Sequence, residues 1–170
     1  MTVNRHATGQ TGEALVAAEL ARAGFIVALP TGNAEHIDIL AYRAGENRAV
    51  QVKCVSKGSF QFSSNKFVDV ALTGEIGNEF QEVLGARKGI DENIDLVIVF
   101  LGQGPGSDRF YCIKLGDFAK FAANSHAAYI NKHQGQRPGK NKASMHGAFT
   151  EQQLIDSRIF CDINKAFYRH

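Results

Sequence analysis

Apolar residues recur along this chain with two spacings, one typical of helices and the other of strands. Leu15, Val16 and Leu20 form one stripe at helical spacing, so residues 11–23 are predicted to be a helix that Gly24 ends. The other predicted helices cover residues 79–88, 117–133 and 150–156. The predicted strands cover residues 25–29, 36–43, 48–55, 60–62, 66–72, 94–101, 109–115 and 159–163. This succession indicates an α/β (α+β) domain with a mixed sheet.

The two strands on either side of residues 44–47 are predicted to form a hairpin with that segment as its loop. In this register Asp38 lies opposite Lys53. Gln51 is two residues from Lys53, so the three polar side chains share one face of the hairpin, while the alternate positions are apolar. Polar side chains at core-strand positions cost free energy unless something compensates for them.

Glu13 occupies a comparable position on the predicted first helix. Its neighbours at helical spacing, Val16 among them, are apolar, so the carboxylate heads the apolar stripe instead of facing water. With Asp38 and Gln51 it could supply oxygen ligands to a hard divalent cation such as Mg²⁺ or Mn²⁺. Two alternatives stay open: Glu13 as a first-turn acid that favours the helix dipole, and a plain cross-strand ion pair between Asp38 and Lys53.

These residues and their order resemble a known superfamily. Similarity to the motif of PD-(D/E)XK nucleases is found in Gly12-Glu13, Gly24-Phe25-Ile26-Val27, Asp38 and Gln51-Val52-Lys53. That superfamily includes restriction enzymes and Holliday-junction resolvases, and the resemblance is clearest over residues 9–62. It implies a restriction endonuclease-like αβββαβ core, with a central mixed β-sheet flanked by helices, in a single domain over residues 1–170.

The same resemblance implies catalytic roles for four residues. Glu13, Asp38 and Gln51 look like the metal ligands, with Mg²⁺ or Mn²⁺ as the cofactor, and Lys53 looks like the catalytic lysine. Ile37 stands where the motif has proline, which is not a ligand. Gln51 stands where the motif has an acid, as in Mrr-like members, so the metal site has one negative charge fewer.

Charge is distributed unevenly along the chain. Residues 1–100 hold nine Lys and Arg against twelve Asp and Glu, whereas residues 101–170 hold ten against five. Residues 131–146, here called the basic segment, include no acid and are predicted to form a loop that contacts nucleic-acid phosphates. The predicted nucleic-acid contacts are Lys57, Lys132, Arg137, Lys140 and Lys142. The alternative is a basic loop that is only solvated.

Composition excludes several classes of protein. The sequence is 44% hydrophobic and 21% charged, which is typical of a globular domain and excludes a disordered chain or a coiled coil. No apolar run approaches the ~20 residues that cross a bilayer, so no membrane partner is expected. There is no apolar signal segment, and the three cysteines form no CxxC pair, so we expect a cytoplasmic protein with reduced thiols.

The resemblance therefore implies a metal-dependent endonuclease that hydrolyses phosphodiester bonds in DNA. A homodimer is expected because two sites are needed to cut two strands. One alternative is a catalytically inactive module of the same fold that binds nucleic acid or a protein partner, which the neutral side chain of Gln51 favours. Another is a structural or immunity-type protein that never contacts nucleic acid.

Overall fold

The structure, a computed structural model, describes residues 5–31 and 36–168. Its helices are α1 (Arg5–Arg22), α2 (Leu115–Lys132), α3 (Glu151–Ser157) and α4 (Ile163–Phe167). Its strands are β1 (Ile26–Ala28), β2 (Ile39–Arg43), β3 (Glu46–Val55), β4 (Phe60–Ser63), β5 (Val68–Thr73), β6 (Phe80–Ala86), β7 (Asp95–Phe100), β8 (Arg109–Lys114), β9 (His146–Phe149) and β10 (Cys161–Asp162). A mixed sheet of six strands, in the order β1-β2-β3-β7-β8-β10, confirms the predicted fold class.

The chain divides into two compact units. The first unit comprises Met1–Phe60, Asn93–Lys114 and Phe149–His170, and it contains the six-stranded sheet with α1, α3 and α4. The second unit comprises Gln61–Glu92 and Leu115–Ala148, and it contains the paired strands β5 and β6 together with α2. The single nuclease-like domain over residues 1–170 stays a prediction.

The first unit is organised around β3, its longest strand. β3 pairs antiparallel with β2 and parallel with β7. On one face of the sheet, Val50 and Val52 of β3 pack in one apolar cluster with Val16 and Leu20 of α1. Those four side chains are buried, so this face forms the core of the first unit.

Helix α1 starts earlier in the chain than predicted. It begins at Arg5, so Thr11 is not its first residue. The Thr11 hydroxyl donates to the carbonyl of Ala7 at 2.8 Å, one turn earlier, which a residue inside a helix can do. The buried stripe of Val16 and Leu20 is the one that the sequence predicts.

The hairpin of β2 and β3 differs from the prediction in its register. Its turn is the pair Ala44 and Gly45, with φ of 43° and 86°, and not the four residues 44–47. Positive φ at both positions is the geometry that two-residue hairpins prefer. The ladder is therefore shifted by two residues, and the predicted pairing of Asp38 with Lys53 is wrong. Because side chains alternate with a period of two, this shift leaves each of them on its predicted face.

The segment predicted as a helix over residues 79–88 is strand β6, which pairs with β5. Phe80, Val83 and Leu84 have helical spacing, but their burial alternates as in a strand. Gln81 is buried and Val83 half-buried, whereas Phe80 and Leu84 are exposed. Pairing with β5 satisfies the backbone of these residues, so tertiary context outweighs the local pattern. Strand β9 and helix α4 were not predicted.

Charged side chains join four strands at the end of β3 that is near the hairpin turn. Glu46 accepts from Arg43 at 2.9 Å and from Arg48 at 2.8 Å. Asp95 of β7 binds Arg48 at 3.1 Å and Lys114 of β8 at 2.7 Å. Hydrogen bonds from Arg48 and Arg43 lower the pKa of Glu46 to about 2. These pairs tie β2, β3, β7 and β8 together in one register.

Helix α1 lies so close to β3 that position 12 has no room for a side chain. A Cβ atom at Gly12 would lie 2.6 Å from the Cβ of Cys54 and 3.5 Å from a methyl group of Val52. Gly9, nearly one turn earlier in the same helix, would meet nothing within 4 Å. The contact of α1 with β3 therefore depends on the missing side chain at Gly12.

We expect Gly12→Ala to lower the free energy of unfolding by about 1–3 kcal/mol, because the added methyl group overpacks the contact between α1 and β3. Gly9→Ala is the matched control and should raise it by up to about 1 kcal/mol, since alanine is the better helix former. Urea unfolding of the two variants and the wild type measures both effects. Equal stability of the two variants would contradict this packing.

Candidate functional site

Strand β3 presents two polar side chains opposite its apolar face. Gln51 and Lys53 alternate with Val50 and Val52, so they project from the face that does not carry the α1 contact. Gln51 is only 5% exposed and Lys53 is half-buried. In the parallel ladder they pair with Leu96 and Ile98 of β7, in the middle of the sheet. The core packing of β3 thus determines where these two side chains lie.

Asp38 is held against the backbone of β3, just before β2 begins. Its N–H donates to the carbonyl of Val50 at 2.9 Å. Its carboxylate oxygen Oδ2 accepts from the N–H of Val52 at 2.7 Å. Val52 lies between Gln51 and Lys53 in the chain, so this bond brings the Asp38 carboxylate to the part of β3 that carries both. Its other oxygen, Oδ1, is not used in this bond.

The carboxyl group of Glu13 lies within electrostatic range of Asp38 and Lys53. It follows Gly12, the residue of α1 that contacts β3, and its side chain is half-buried. Burial raises the pKa of Glu13, and the negative charge of Asp38 raises it further. The positive charges of Lys53 and His6 act in the opposite direction. Glu13 is therefore close enough to Asp38 and Lys53 for their charges to act on its carboxyl group.

The Gln51 amide has a partner at one end only. Its nitrogen Nε2 lies 3.3 Å from Nδ1 of His36. Its oxygen Oε1 is buried and has no hydrogen-bond partner among the described residues. A buried acceptor without a partner costs about 1–3 kcal/mol, so this oxygen is free to accept from, or to bind, a ligand. The sequence marks His36 only by its position two residues before Asp38.

The donor atoms of this site fit a hard divalent cation. Glu13 and Asp38 supply carboxylate oxygens and Gln51 supplies an amide oxygen, the ligand types that Mg²⁺ and Mn²⁺ prefer. Across residues 5–31 and 36–168, no three side chains of His, Cys, Asp or Glu are grouped so that they could hold a metal ion. Gln51 has an amide oxygen that is unused among the described residues.

The sequence model of one protein family, described as PD-(D/E)XK endonuclease, matches residues 3–149. The chain belongs to the PD-(D/E)XK endonuclease family. The match covers most of the sequence, and it confirms the predicted resemblance and the predicted restriction endonuclease-like fold. The Gln-x-Lys form of the motif at Gln51 and Lys53 stays a prediction.

Two further comparisons add little to this assignment. The structure of a bacterial homing endonuclease is similar to this PD-(D/E)XK endonuclease with 16% sequence identity and a TM-score of 0.42, over 67% of this chain and 71% of that one. A comparison with curated proteins finds no match. The assignment therefore rests on the family match, which supports a nuclease function. PD-(D/E)XK nucleases generally use divalent metal ions, in agreement with the oxygen donors found here.

The predicted nucleic-acid contacts of this endonuclease lie in both units. Lys57 is exposed just after β3 in the first unit. In the second unit, Lys132 ends α2 and is exposed, Lys140 is exposed and Lys142 is half-buried. Arg137 donates to the carbonyls of Ser144 at 2.7 Å and His146 at 2.5 Å. Two of its donors are thus engaged in holding the basic segment.

A groove of about 520 Å³ lies beside the basic segment in the second unit. Gln61, Asn141 and His146 contribute exposed polar side chains to its lining. Phe62 also lines it, but its ring packs edge-on against Phe67 and Phe118. Phe62 therefore packs with the apolar side chains of its own unit.

No helix within the described part of the chain is long and apolar enough to span a membrane.

In the metal-free protein we expect Glu13→Gln to raise the free energy of unfolding at pH 7 and to change it little at pH 4. A raised pKa means that the folded protein binds this proton more tightly than the unfolded chain. Stability therefore falls as the pH rises from the ordinary value of 4.5 through the folded pKa. Urea unfolding in EDTA at both pH values measures the effect. Glu75→Gln, at an exposed acid of the second unit, is the control, and an equal gain there at pH 7 would contradict the prediction.

Proposed function

We propose that this endonuclease cleaves DNA with the help of a divalent metal ion, and that Glu13, Asp38, Gln51 and Lys53 form its active centre. The observation that carries the proposal is the buried oxygen Oε1 of Gln51, which has no partner among the described residues. Gln51 is next in the chain to Val52, whose N–H binds the carboxylate of Asp38. Burial raises the pKa of Glu13, and repulsion from the carboxylate of Asp38 raises it further. A cation would offset both unfavourable features, because it attracts the carboxylates and takes the amide oxygen as a ligand.

Glu13, Asp38 and Gln51 would hold Mg²⁺ or Mn²⁺ through their oxygen atoms. When bound, the ion would act as a Lewis acid that stabilises negative charge on the scissile phosphate. Asp38 can serve as a ligand without giving up its structural bond, because Oδ2 accepts from Val52 and Oδ1 remains. Gln51 contributes no charge, so we expect weaker metal binding than at a site with three carboxylates.

Lys53 would act on the phosphate and on the attacking water. Its positive charge partly offsets the rise in the pKa of Glu13 that burial and Asp38 cause, so it supplies positive charge at the proposed centre. There it can donate hydrogen bonds to the water and to the phosphate oxygen on which charge develops. Removal of one such electrostatic group reduces the rate by roughly 10²–10³-fold in other enzymes.

The proposed substrate is double-stranded DNA, held through its phosphates by Lys57, Lys132, Lys140 and Lys142. Their exposed or half-buried amino groups support this role. Arg137 would act mainly by stabilising the conformation of the basic segment, because it binds two carbonyls of that segment.

A homodimer would let each subunit cut one strand. A cytoplasmic site of action is supported by three free thiols, at Cys54, Cys112 and Cys161.

The neutral side chain of Gln51 favours a second function, that of an inactive module which binds nucleic acid through the basic segment alone. The two functions differ in their response to metal. A ligand that binds only the folded state raises its stability. Mn²⁺ should therefore raise the melting temperature of a nuclease with this site and leave that of an inactive module unchanged.

Substitutions at the site should separate metal binding from cleavage. We expect Asp38→Ala to abolish both, because it removes a carboxylate ligand. Gln51→Glu should keep or strengthen Mn²⁺ binding, because it adds the missing charge. Lys53→Ala should leave Mn²⁺ binding intact while cleavage falls by roughly two orders of magnitude. Calorimetric titration with Mn²⁺ and cleavage of plasmid DNA measure the two properties.

Asp38→Asn is the matched control for the structural bond, since an amide oxygen can still accept from the N–H of Val52. It should fold like the wild type and still lose most of its metal affinity. A wild-type protein that neither binds Mn²⁺ nor cuts plasmid, linear or branched DNA would rule out the metal-dependent nuclease. Equal cleavage by the wild type and Asp38→Ala would assign the activity to a contaminant.

For the basic segment, we expect the double substitution Lys140→Ala and Lys142→Ala to weaken DNA binding about equally for all sequences. It should also reduce the slope of log affinity against log salt by up to about two units, because each phosphate contact contributes about 0.9. Binding assays at several salt concentrations measure both. Lys120→Ala is the control, because Lys120 is already paired with Asp117 at 3.1 Å. An unchanged affinity and slope in the double variant would mean that the segment is only solvated.

A further inference from the structure

The hydrogen bond between His36 and Gln51 has a defined donor and a defined acceptor. Nε2 of a glutamine side chain is a donor, so Nδ1 of His36, 3.3 Å away, must be the acceptor. The imidazole proton is then carried on Nε2 of the ring. In this arrangement the amide oxygen of Gln51 is the atom that is left buried and without a partner among the described residues.

An amide ligand needs such a contact and a carboxylate ligand does not. The two oxygens of a carboxylate are equivalent, so either can bind a cation. A glutamine has one oxygen and one NH₂ group, and rotation by half a turn would present donors to the metal. The carboxylate of Asp38, which is bound at the adjacent residue Val52, favours that wrong orientation, since it attracts NH₂. An acceptor on the opposite side of the amide counters this attraction.

The backbone of His36 supports a specific role. Its φ of 68° is in the left-handed region, which few residues other than glycine adopt, although histidine and asparagine do so more often than most. Strained residues of this kind concentrate at functional sites. His36 also precedes Asp38 by only two residues, so the same short segment brings both the carboxylate and the imidazole to β3.

We propose that His36 is a positioning residue that holds the Gln51 amide with its oxygen available to the divalent cation. The inference rests on the proposed function, because it assumes that the cation binds at Gln51. It also gives a reason for the neutral residue at this position of the motif. Gln51 and His36 together would present an oxygen to the cation, as a single acid does, because the histidine fixes which end of the amide faces the metal.

The test is a double-mutant cycle read by Mn²⁺ calorimetry on four full-length proteins: the wild type, His36→Ala, Gln51→Glu and the double variant. In the wild-type background, His36→Ala should lower Mn²⁺ affinity by about 10- to 100-fold, the usual effect of losing a group that orients a ligand. In the Gln51→Glu background it should change the affinity by less than about 2-fold, because a carboxylate needs no orientation. Gln103→Ala, at an exposed position outside the site and the basic segment, is the control and should leave the affinity unchanged.

His36→Asn keeps the proposed interaction and should rescue Mn²⁺ binding. Oδ1 of asparagine stands at the same distance from the backbone as Nδ1 of histidine, and asparagine tolerates positive φ well. A second readout needs no metal. In nitrogen-15 NMR spectra, the side-chain amide signal of Gln51, identified by its loss in Gln51→Glu, should shift in His36→Ala and be preserved in His36→Asn.

The outcomes separate this inference from the proposed function. If the wild type binds Mn²⁺ and His36→Ala binds it equally well, the positioning role is wrong and the metal site stands. If His36→Ala weakens Mn²⁺ binding equally in the wild-type and Gln51→Glu backgrounds, the effect of the histidine does not depend on the amide. That result also overturns the inference. If the wild type does not bind Mn²⁺, the proposed function fails, and the positioning role fails with it.

Discussion

The pairing of β3 on both of its edges is the constraint on which the first unit depends. β2 occupies one edge and β7 the other, so the strand cannot rotate or slip without breaking two ladders. Val50 and Val52, on one face of β3, are buried in the core against α1. Gln51 and Lys53 must then project from the opposite face, and a slip by one residue would exchange the two sets. The order of the polar groups in the candidate site is thus a consequence of how the core is packed.

The charged and polar groups around β3 fall into two sets. Glu46 and Asp95 are each bound by two cations. Glu13, by contrast, has a raised pKa, and the oxygen of Gln51 lacks a described partner. Natural proteins depart from local stability rules mainly at functional sites and compensate elsewhere. The ion pairs that join four strands are a source of that compensation close in the chain to the site that needs it.

The sequence predicts those features that depend on a strong local pattern. The continuous apolar run over residues 94–101 is strand β7, and the stripe of α1 is buried as expected. The register of the hairpin could not be predicted, because Ala44 adopts a positive φ that alanine rarely has. The helix predicted over residues 79–88 failed because pairing with β5, which is not encoded in the local spacing, decides the structure of β6. Among the candidate site residues, Gln51 and Lys53 stand out as polar positions in an apolar strand, whereas His36 becomes visible only through its contact with Gln51.

The parallel pairing of β3 with β7 also determines the order in which the protein can fold. The hairpin of β2 and β3 closes through a two-residue turn, and such hairpins form in roughly 1–10 μs. β7 begins about 45 positions after Val50, its first partner residue in β3, and translation at about 5–20 residues per second takes several seconds to reach it. Throughout that interval the nascent chain carries β3 with one open edge, where another chain could add a strand. The strand that bears the proposed catalytic lysine is therefore exposed to misassembly on the ribosome until β7 pairs with it.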